Sequence, residues 1–97
     1  MTPNEQAALW RELAARLPGL EKQAHICPAH PPDLALLLRA AREAGYRYKL
    51  AWSGKGYVVQ FMRGEWIPPV FDYPDELTAA MLAVKRALDA EKERNHD

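Results

Sequence analysis

The residue types best suited to chemistry lie in one short segment, His25-x-Cys27-x-x-His30. Imidazole nitrogens and cysteine thiolates are the preferred ligands of zinc in proteins. Structural zinc usually takes four ligands, commonly supplied as two spaced pairs, and this sequence has no second pair. A zinc site at these three residues therefore competes with a simpler interpretation, in which Ile26 and Cys27 pack inward and both histidines face solvent.

The same segment would also suit a cysteine nucleophile, with Cys27 activated by His25 or His30. Such a site needs a pocket and a donor for the oxyanion, and no motif in the sequence supplies either. An isolated cysteine is more commonly a small buried hydrophobe. We therefore predict a protein that is not an enzyme, and because no cofactor motif occurs we expect no cofactor.

A second candidate surface follows a predicted hairpin, where basic side chains alternate with aromatic ones. This alternation is typical of platforms that bind single-stranded nucleic acid. The basic side chains are Arg47, Lys49, Lys55 and Arg63. Over the whole chain, however, 13 basic and 13 acidic residues cancel, whereas nucleic-acid binders usually carry a basic excess. Nucleic-acid binding through the basic side of the hairpin is therefore the alternative function.

The third candidate is an apolar run with the sequence Trp66-Ile67-Pro68-Pro69-Val70-Phe71. Proline cannot donate a hydrogen bond to a neighbouring strand, so we expect an edge strand or an extended strap. If the run is exposed, it makes a protein-binding edge with Trp66 as its anchor. If it is buried, Trp66 and Phe71 close the core against the last helix. Both interpretations stay open on the sequence alone.

The first of three predicted amphipathic helices covers about residues 3–17. Thr2 can cap it, and Glu5 can reach back to the cap in a capping-box arrangement. Its apolar stripe recurs at helical spacing and consists of Leu9, Trp10, Leu13, Ala14 and Leu17.

The second helix is predicted to start near Pro31 or Pro32, with Asp33 at the positive end of its dipole, and to stop at Gly45. The third is predicted from residue 74 to about 93, with Asp72 or Tyr73 as its cap. Twenty residues are longer than a small sheet needs, so we expect the charged end from about residue 90 to project into solvent and fray.

Eight of the nine aromatic residues fall between positions 46 and 73, where they alternate with other residues around glycine turns. This pattern predicts an antiparallel β-meander of about three strands over 46–71. The turn at residues 53–56 sets a register in which directly opposed side chains share one face, namely Trp52 with Tyr57, Leu50 with Val59 and Tyr48 with Phe61. We expect that face to meet the core. The other face carries a mixed set, Arg47, Lys49, Ala51, Val58, Gln60 and Met62.

These elements predict a single α+β domain over residues 1–97, with the meander packed against the helices on one face or on both. A length of 97 residues, 48% of them hydrophobic and 27% charged, is typical of one globular domain. The single cysteine, Cys27, excludes an intramolecular disulfide and fits a reducing compartment. The first ten residues lack the features of a signal peptide, and the apolar stretch 34–38 is too short to cross a bilayer. We therefore expect a cytoplasmic protein with no membrane association.

Several of these features together resemble the phage ABA sandwich domains. They are a leading helix with Leu9-Trp10 and a Leu17-Pro18 stop, the aromatic strands, and a Tyr73-Pro74 start into an alanine-rich helix over residues 79–88. The similarity covers mostly the first helix and residues 57–88, while residues 20–45 add a helix to that pattern. The resemblance implies a small phage or prophage protein whose sheet lies between helices, and it supplies no functional residues.

The sequence as a whole favours a small protein–protein interaction module, which the resemblance suggests is a phage accessory protein that binds or inhibits a host factor. The residues predicted to contact the partner belong to the strap and to the mixed sheet face, and they are Trp66, Ile67, Phe71, Arg47, Lys49 and Met62. Self-association as a homodimer through the same face is an equally physical outcome.

Overall fold

A computed structural model describes residues 2–17, 19–20, 33–64 and 70–94, with backbone only for 70–72 and 94. The predicted α+β class is confirmed. The described helices are α1 (Pro3–Arg16), α2 (Leu34–Glu43) and α3 (Glu76–Arg94), and the strands are β1 (Arg47–Trp52), β2 (Tyr57–Met62) and β3 (Val70–Tyr73). The strands form an antiparallel sheet in the order β1-β2-β3.

Helix α1 begins at the predicted capping box. The Glu5 N–H donates to Thr2 Oγ1 at 3.2 Å, and the Thr2 N–H donates to Glu5 Oε1 at 3.1 Å. Both N–H groups lack a partner within the helix, so this exchange of bonds stabilises its first turn. The bond from the Thr2 backbone also holds the pKa of the Glu5 carboxyl below its usual value. The capping prediction is confirmed.

Helix α2 begins one residue after Asp33, which acts as its cap. The Asp33 carboxylate accepts the backbone N–H groups of Ala35 at 2.8 Å and Leu36 at 3.3 Å. The helix ends before Gly45, whose φ of 96° lies in the left-handed region that favours glycine. The predicted helix and its glycine stop are confirmed, and its predicted start at Pro31 or Pro32 lies outside the described residues.

The cap of helix α3 differs from the prediction. Tyr73 is still part of β3, and the helix starts at Glu76 rather than at residue 74. The capping group is Asp75, whose carboxylate accepts the Thr78 N–H at 2.9 Å and the side-chain amide of Gln6 at 3.1 Å. The side-chain hydrogen bond from Thr78 lowers the pKa of Asp75. The prediction of Asp72 or Tyr73 as the cap is wrong because the sheet continues through both positions.

The register of the β1–β2 hairpin is the one predicted from the turn. Trp52 lies opposite Tyr57, Leu50 opposite Val59 and Tyr48 opposite Phe61. On the other side of β2, Tyr57 pairs with Tyr73 and Val59 pairs with Val70, with an irregularity between these pairs. The third strand was predicted within residues 66–71, but 65–69 lie outside the described residues and β3 extends two residues further along the chain.

The core lies between the sheet and α3. This helix packs against β2 and β3, while α1 and α2 pack against α3. Small side chains let the helix approach its neighbours closely, and the buried ones are Ala79, Ala80, Ala83 and Ala87. From the sheet, Val59 and Phe61 enter this core and are fully buried. In the described part of the chain helices cover only this face, so the alternative of helices on both faces is not found there.

The aromatic side chains on the core face of the hairpin differ in how deeply they are buried. Phe61 is 1% exposed, whereas Trp52 is 59% exposed. The prediction of Trp52 as a core residue is wrong, because it ends the edge strand beside the turn while α3 lies over β2 and β3. Its ring instead packs edge-on against Tyr57, with the ring centroids 5.0 Å apart.

This division predicts unequal effects of two aromatic truncations on the free energy of unfolding. Phe61→Ala should cost about 3–5 kcal/mol, since it leaves a cavity in the core. Trp52→Ala should cost at most about 1 kcal/mol, since it loses mainly a cross-strand ring contact. Urea denaturation of both variants measures the difference, and losses of similar size would contradict the structure.

Candidate functional surface

The structure brings together three of the residues predicted to bind a partner. Arg47 and Met62 lie directly opposite each other on β1 and β2, and Lys49 lies two residues further along the same face. Arg47 and Lys49 are exposed, while Met62 is half-buried. Trp66 and Ile67 lie outside the described residues, as does the side chain of Phe71. The interface predicted for the strap therefore stays a prediction.

The predicted zinc or thiol site also lies outside the described residues. His25, Cys27 and His30 all fall within the segment 21–32. Among the residues that the structure does describe, no three histidine, cysteine or acidic side chains come together in a group that could hold a metal ion. The site stays a prediction from the sequence.

The face of the hairpin opposite the core, here called the outer face, combines exposed and half-buried side chains. Its members alternate along the two strands with the core-facing residues, and they are Arg47, Lys49, Ala51, Val58, Gln60 and Met62. The three on β1 are exposed and the three on β2 are half-buried. The outer face therefore places two cations at an edge strand, next to a partly apolar centre on β2. Basic residues on an edge strand also discourage unspecific pairing with other strands.

At the turn end of the sheet, three aromatic side chains form a row across the strands. Trp52 is the partner of Tyr57, and Tyr57 is the partner of Tyr73. Trp52 and Tyr73 are exposed, at 59% and 36%, and Tyr57 between them is half-buried. Trp52 and Tyr57 were predicted to face the core, whereas Tyr73 was predicted only as a candidate cap for the last helix. The signal that this prediction overlooked is position, since both exposed rings end a strand.

A cluster of ionisable groups joins the two ends of the hairpin to α3. The Tyr46 hydroxyl donates to Glu91 Oε2 at 2.7 Å, and Arg63 Nε lies 2.8 Å from Glu91 Oε1. The Arg63 guanidinium carbon lies 5.3 Å from the centre of the Tyr46 ring, and another of its nitrogens donates to the Ala44 carbonyl at 3.2 Å. One carboxylate on the helix therefore holds the two residues that flank the hairpin, Tyr46 before β1 and Arg63 after β2.

The groups in this cluster are hydrogen-bonded or ion-paired with one another. Burial, followed by the hydrogen bond to Glu91, raises the pKa of Tyr46 well above its ordinary value, so the phenol stays protonated and acts as a donor. No buried side-chain nitrogen or oxygen among the described residues lacks a hydrogen-bond partner. The arrangement is that of a clamp, and we assign it a structural role.

The clamp lies in the segment from about residue 90 that was expected to project and fray. In the described part of that segment α3 continues to Arg94 and Glu91 is half-buried, while residues 95–97 lie outside the described residues. Two residues before Glu91, Asp89 forms an ion pair with Arg16 of α1 at 2.8 Å. Charged residues here attach the helix to its neighbours, and no local sequence pattern predicts this because their partners are distant along the chain.

Comparison of the chain with protein-family models, with curated proteins and with solved structures finds no match. None of the helices in the described part of the chain combines the length and the apolar character that spanning a membrane requires. The outer face and the aromatic row are therefore the features of the described structure that bear on function.

The clamp predicts that Tyr46→Phe lowers the free energy of unfolding by about 1–2 kcal/mol, because the Glu91 carboxylate loses a donor. Tyr73→Phe removes the same atom from an exposed ring and should change stability by less than about 0.5 kcal/mol. Above about pH 10 the unfolded chain loses the Tyr46 proton while the folded protein keeps it. Wild-type stability should therefore fall more steeply there than that of Tyr46→Phe. Equal stability of both variants and the wild type in urea denaturation would refute the clamp.

Proposed function

We propose that this protein is a small non-enzymatic interaction module that binds another protein through the outer face of its sheet. The observation that carries the proposal is that this face has no helix over it in the described part of the chain, although it is partly apolar. Val58 and Met62 provide the apolar centre, and Arg47 and Lys49 provide a cationic border. An apolar centre with a polar rim is the usual composition of a protein interface.

The charges of the outer face indicate the chemistry of the partner. Its exposed ionisable residues, Arg47 and Lys49, are both cations, so an acidic surface fits it best. Charge complementarity of this kind accelerates association and sets the orientation of the two proteins more than it adds affinity. Arginine is also frequent among the residues that dominate binding energy.

The strap, whose last two residues belong to β3, forms the second part of the proposed interface. Trp66 is its anchor, with Ile67 and Phe71 beside it, since large aromatic residues contribute most where they are desolvated by a partner. The resemblance to phage ABA sandwich domains supports a cytoplasmic phage or prophage accessory protein that occludes a host factor. This part of the proposal is an analogy at the level of the fold.

A second candidate function is binding of single-stranded nucleic acid by the turn end of the hairpin. The observation that favours it is the 59% exposure of Trp52, because base stacking needs an open aromatic face. Lys55 in the turn next to it is also exposed and could contact phosphate. The balanced net charge of the chain counts against this function.

Capture from the native cell extract, with and without nuclease, separates the two functions. We expect a protein partner that nuclease does not remove, and we expect it to be lost with the double variant Arg47→Glu and Lys49→Glu. The matched control is Arg11→Glu with Lys92→Glu, which reverses two exposed charges on α1 and α3. Capture that is equal for both double variants would overturn the outer face as the binding surface. A partner that disappears with nuclease would establish the second candidate instead.

A further inference from the structure

Strand β1 forms an edge of the sheet. In the described part of the chain, β2 pairs with one side of β1 and no strand pairs with the other. At six residues β1 is longer than the four-residue strand β3 at the opposite edge, and it contains no proline or glycine. An edge of this kind presents a row of main-chain donors and acceptors to another strand.

One hydrogen bond in the turn determines which residues of β1 present those groups. The Ser53 N–H donates to the Gly56 carbonyl at 2.9 Å, so these two residues form a hydrogen-bonded pair. Hydrogen-bonded and non-hydrogen-bonded pairs alternate along an antiparallel ladder, and the β1–β2 register is continuous. The N–H and C=O groups that point away from β2 are therefore those of Tyr48, Leu50 and Trp52.

From this edge we infer that β1 pairs with β1 of a second copy of the same chain, antiparallel, across a two-fold axis at Leu50. The two sheets then become one continuous sheet, with both core faces on the same side. Leu50 lies opposite Leu50 of the second copy, and the outward groups of the two strands form about six main-chain hydrogen bonds. The inference is independent of the proposed function, since it concerns the edge of β1 rather than the outer face.

The charges of β1 select this register over its neighbours. With the axis at Leu50, Lys49 lies opposite Ala51 of the second copy, so neither cation of the strand faces another charge. Moving the axis to Lys49 would set that lysine directly against itself. Moving it to Ala51 would set Arg47 against Lys55 of the second copy. Like charges directly opposite each other destabilise a strand pair.

The same register accounts for the exposed tryptophan. It places Trp52 opposite Tyr48 of the second copy on the core-facing side, once on each side of the axis. Trp52 is 59% exposed in the single chain, and Tyr48 and Leu50 are half-buried. Aromatic pairs across strands stabilise a sheet, so the row of aromatic side chains would continue across the joined strands. A strand pair buries less area than a standard protein interface, so this dimer dissociates at moderate dilution.

The test compares two variants of the purified protein, one with a positive charge and one with a negative charge at the exposed position Ala51. Ala51 lies on the outer face opposite Val58 in its own sheet, so neither variant meets a charge across β1 and β2. Ala51→Lys sets a lysine against Lys49 of the second copy at two equivalent positions, and Ala51→Glu sets a carboxylate there. We expect the dissociation constant of the dimer to rise about tenfold with lysine and to fall about tenfold with glutamate. The double variant Lys49→Glu with Ala51→Lys restores opposite charges and should return the dissociation constant towards the wild-type value.

Sedimentation equilibrium over a range of concentrations gives these constants, and circular dichroism at low concentration checks that each variant folds. A mass that rises from 11.0 kDa towards twice that value, with the expected order of the variants, supports the inference. A mass that stays at 11.0 kDa at all concentrations would overturn it. A dimer that responds equally to both charges would overturn the register. These measurements use only the purified protein, so their outcome does not depend on whether a partner is captured from the cell extract.

Discussion

The register of the β1–β2 hairpin is the constraint on which the rest of the structure depends. Side chains alternate between the two faces of a strand, so a shift of one residue would move every core side chain to the opposite face. The observed register sends Val59 and Phe61 into the core and leaves Arg47 and Lys49 on the outer face. It also determines which main-chain groups of β1 point away from the sheet. One turn therefore determines which side chains enter the core, which lie on the outer face, and which main-chain groups of β1 have no partner strand among the described residues.

The position of α3 is the second constraint on the fold, and polar contacts at both ends of the helix determine it. Near the start, Asp75 caps the helix and also accepts the Gln6 amide from α1. Near the end, Glu91 holds Tyr46 and Arg63, which flank the hairpin on either side. Between them, small side chains fill the space against the sheet and the other helices. The helix is therefore fixed by polar contacts at its ends and by close packing along its middle.

Much of this fold is predictable because its signals are local. The capping box of Thr2 and Glu5, the Asp33 cap and the hairpin register each depend on residues close together in the sequence. The features that were not predicted from the sequence depend on contacts between residues that are distant along the chain. The exposure of Trp52 follows from where α3 lies over the sheet, and the burial of Glu91 follows from the position of the hairpin ends. For the candidate site, the sequence correctly grouped Arg47, Lys49 and Met62 on one face because alternation alone decides it.

Amide hydrogen exchange along β1, at a concentration low enough to keep the chain monomeric, tests the central claim most directly. The hairpin register predicts slow exchange at Lys49 and Ala51, whose N–H groups point towards β2, and fast exchange at Leu50 and Trp52, whose N–H groups point to the free edge. Leu50 and Trp52 should become protected as the protein concentration rises. Slow exchange at Leu50 and Trp52 with fast exchange at Lys49 and Ala51 would contradict the register. Equal protection of all four at low concentration would show that the edge of β1 is already occupied within the single chain.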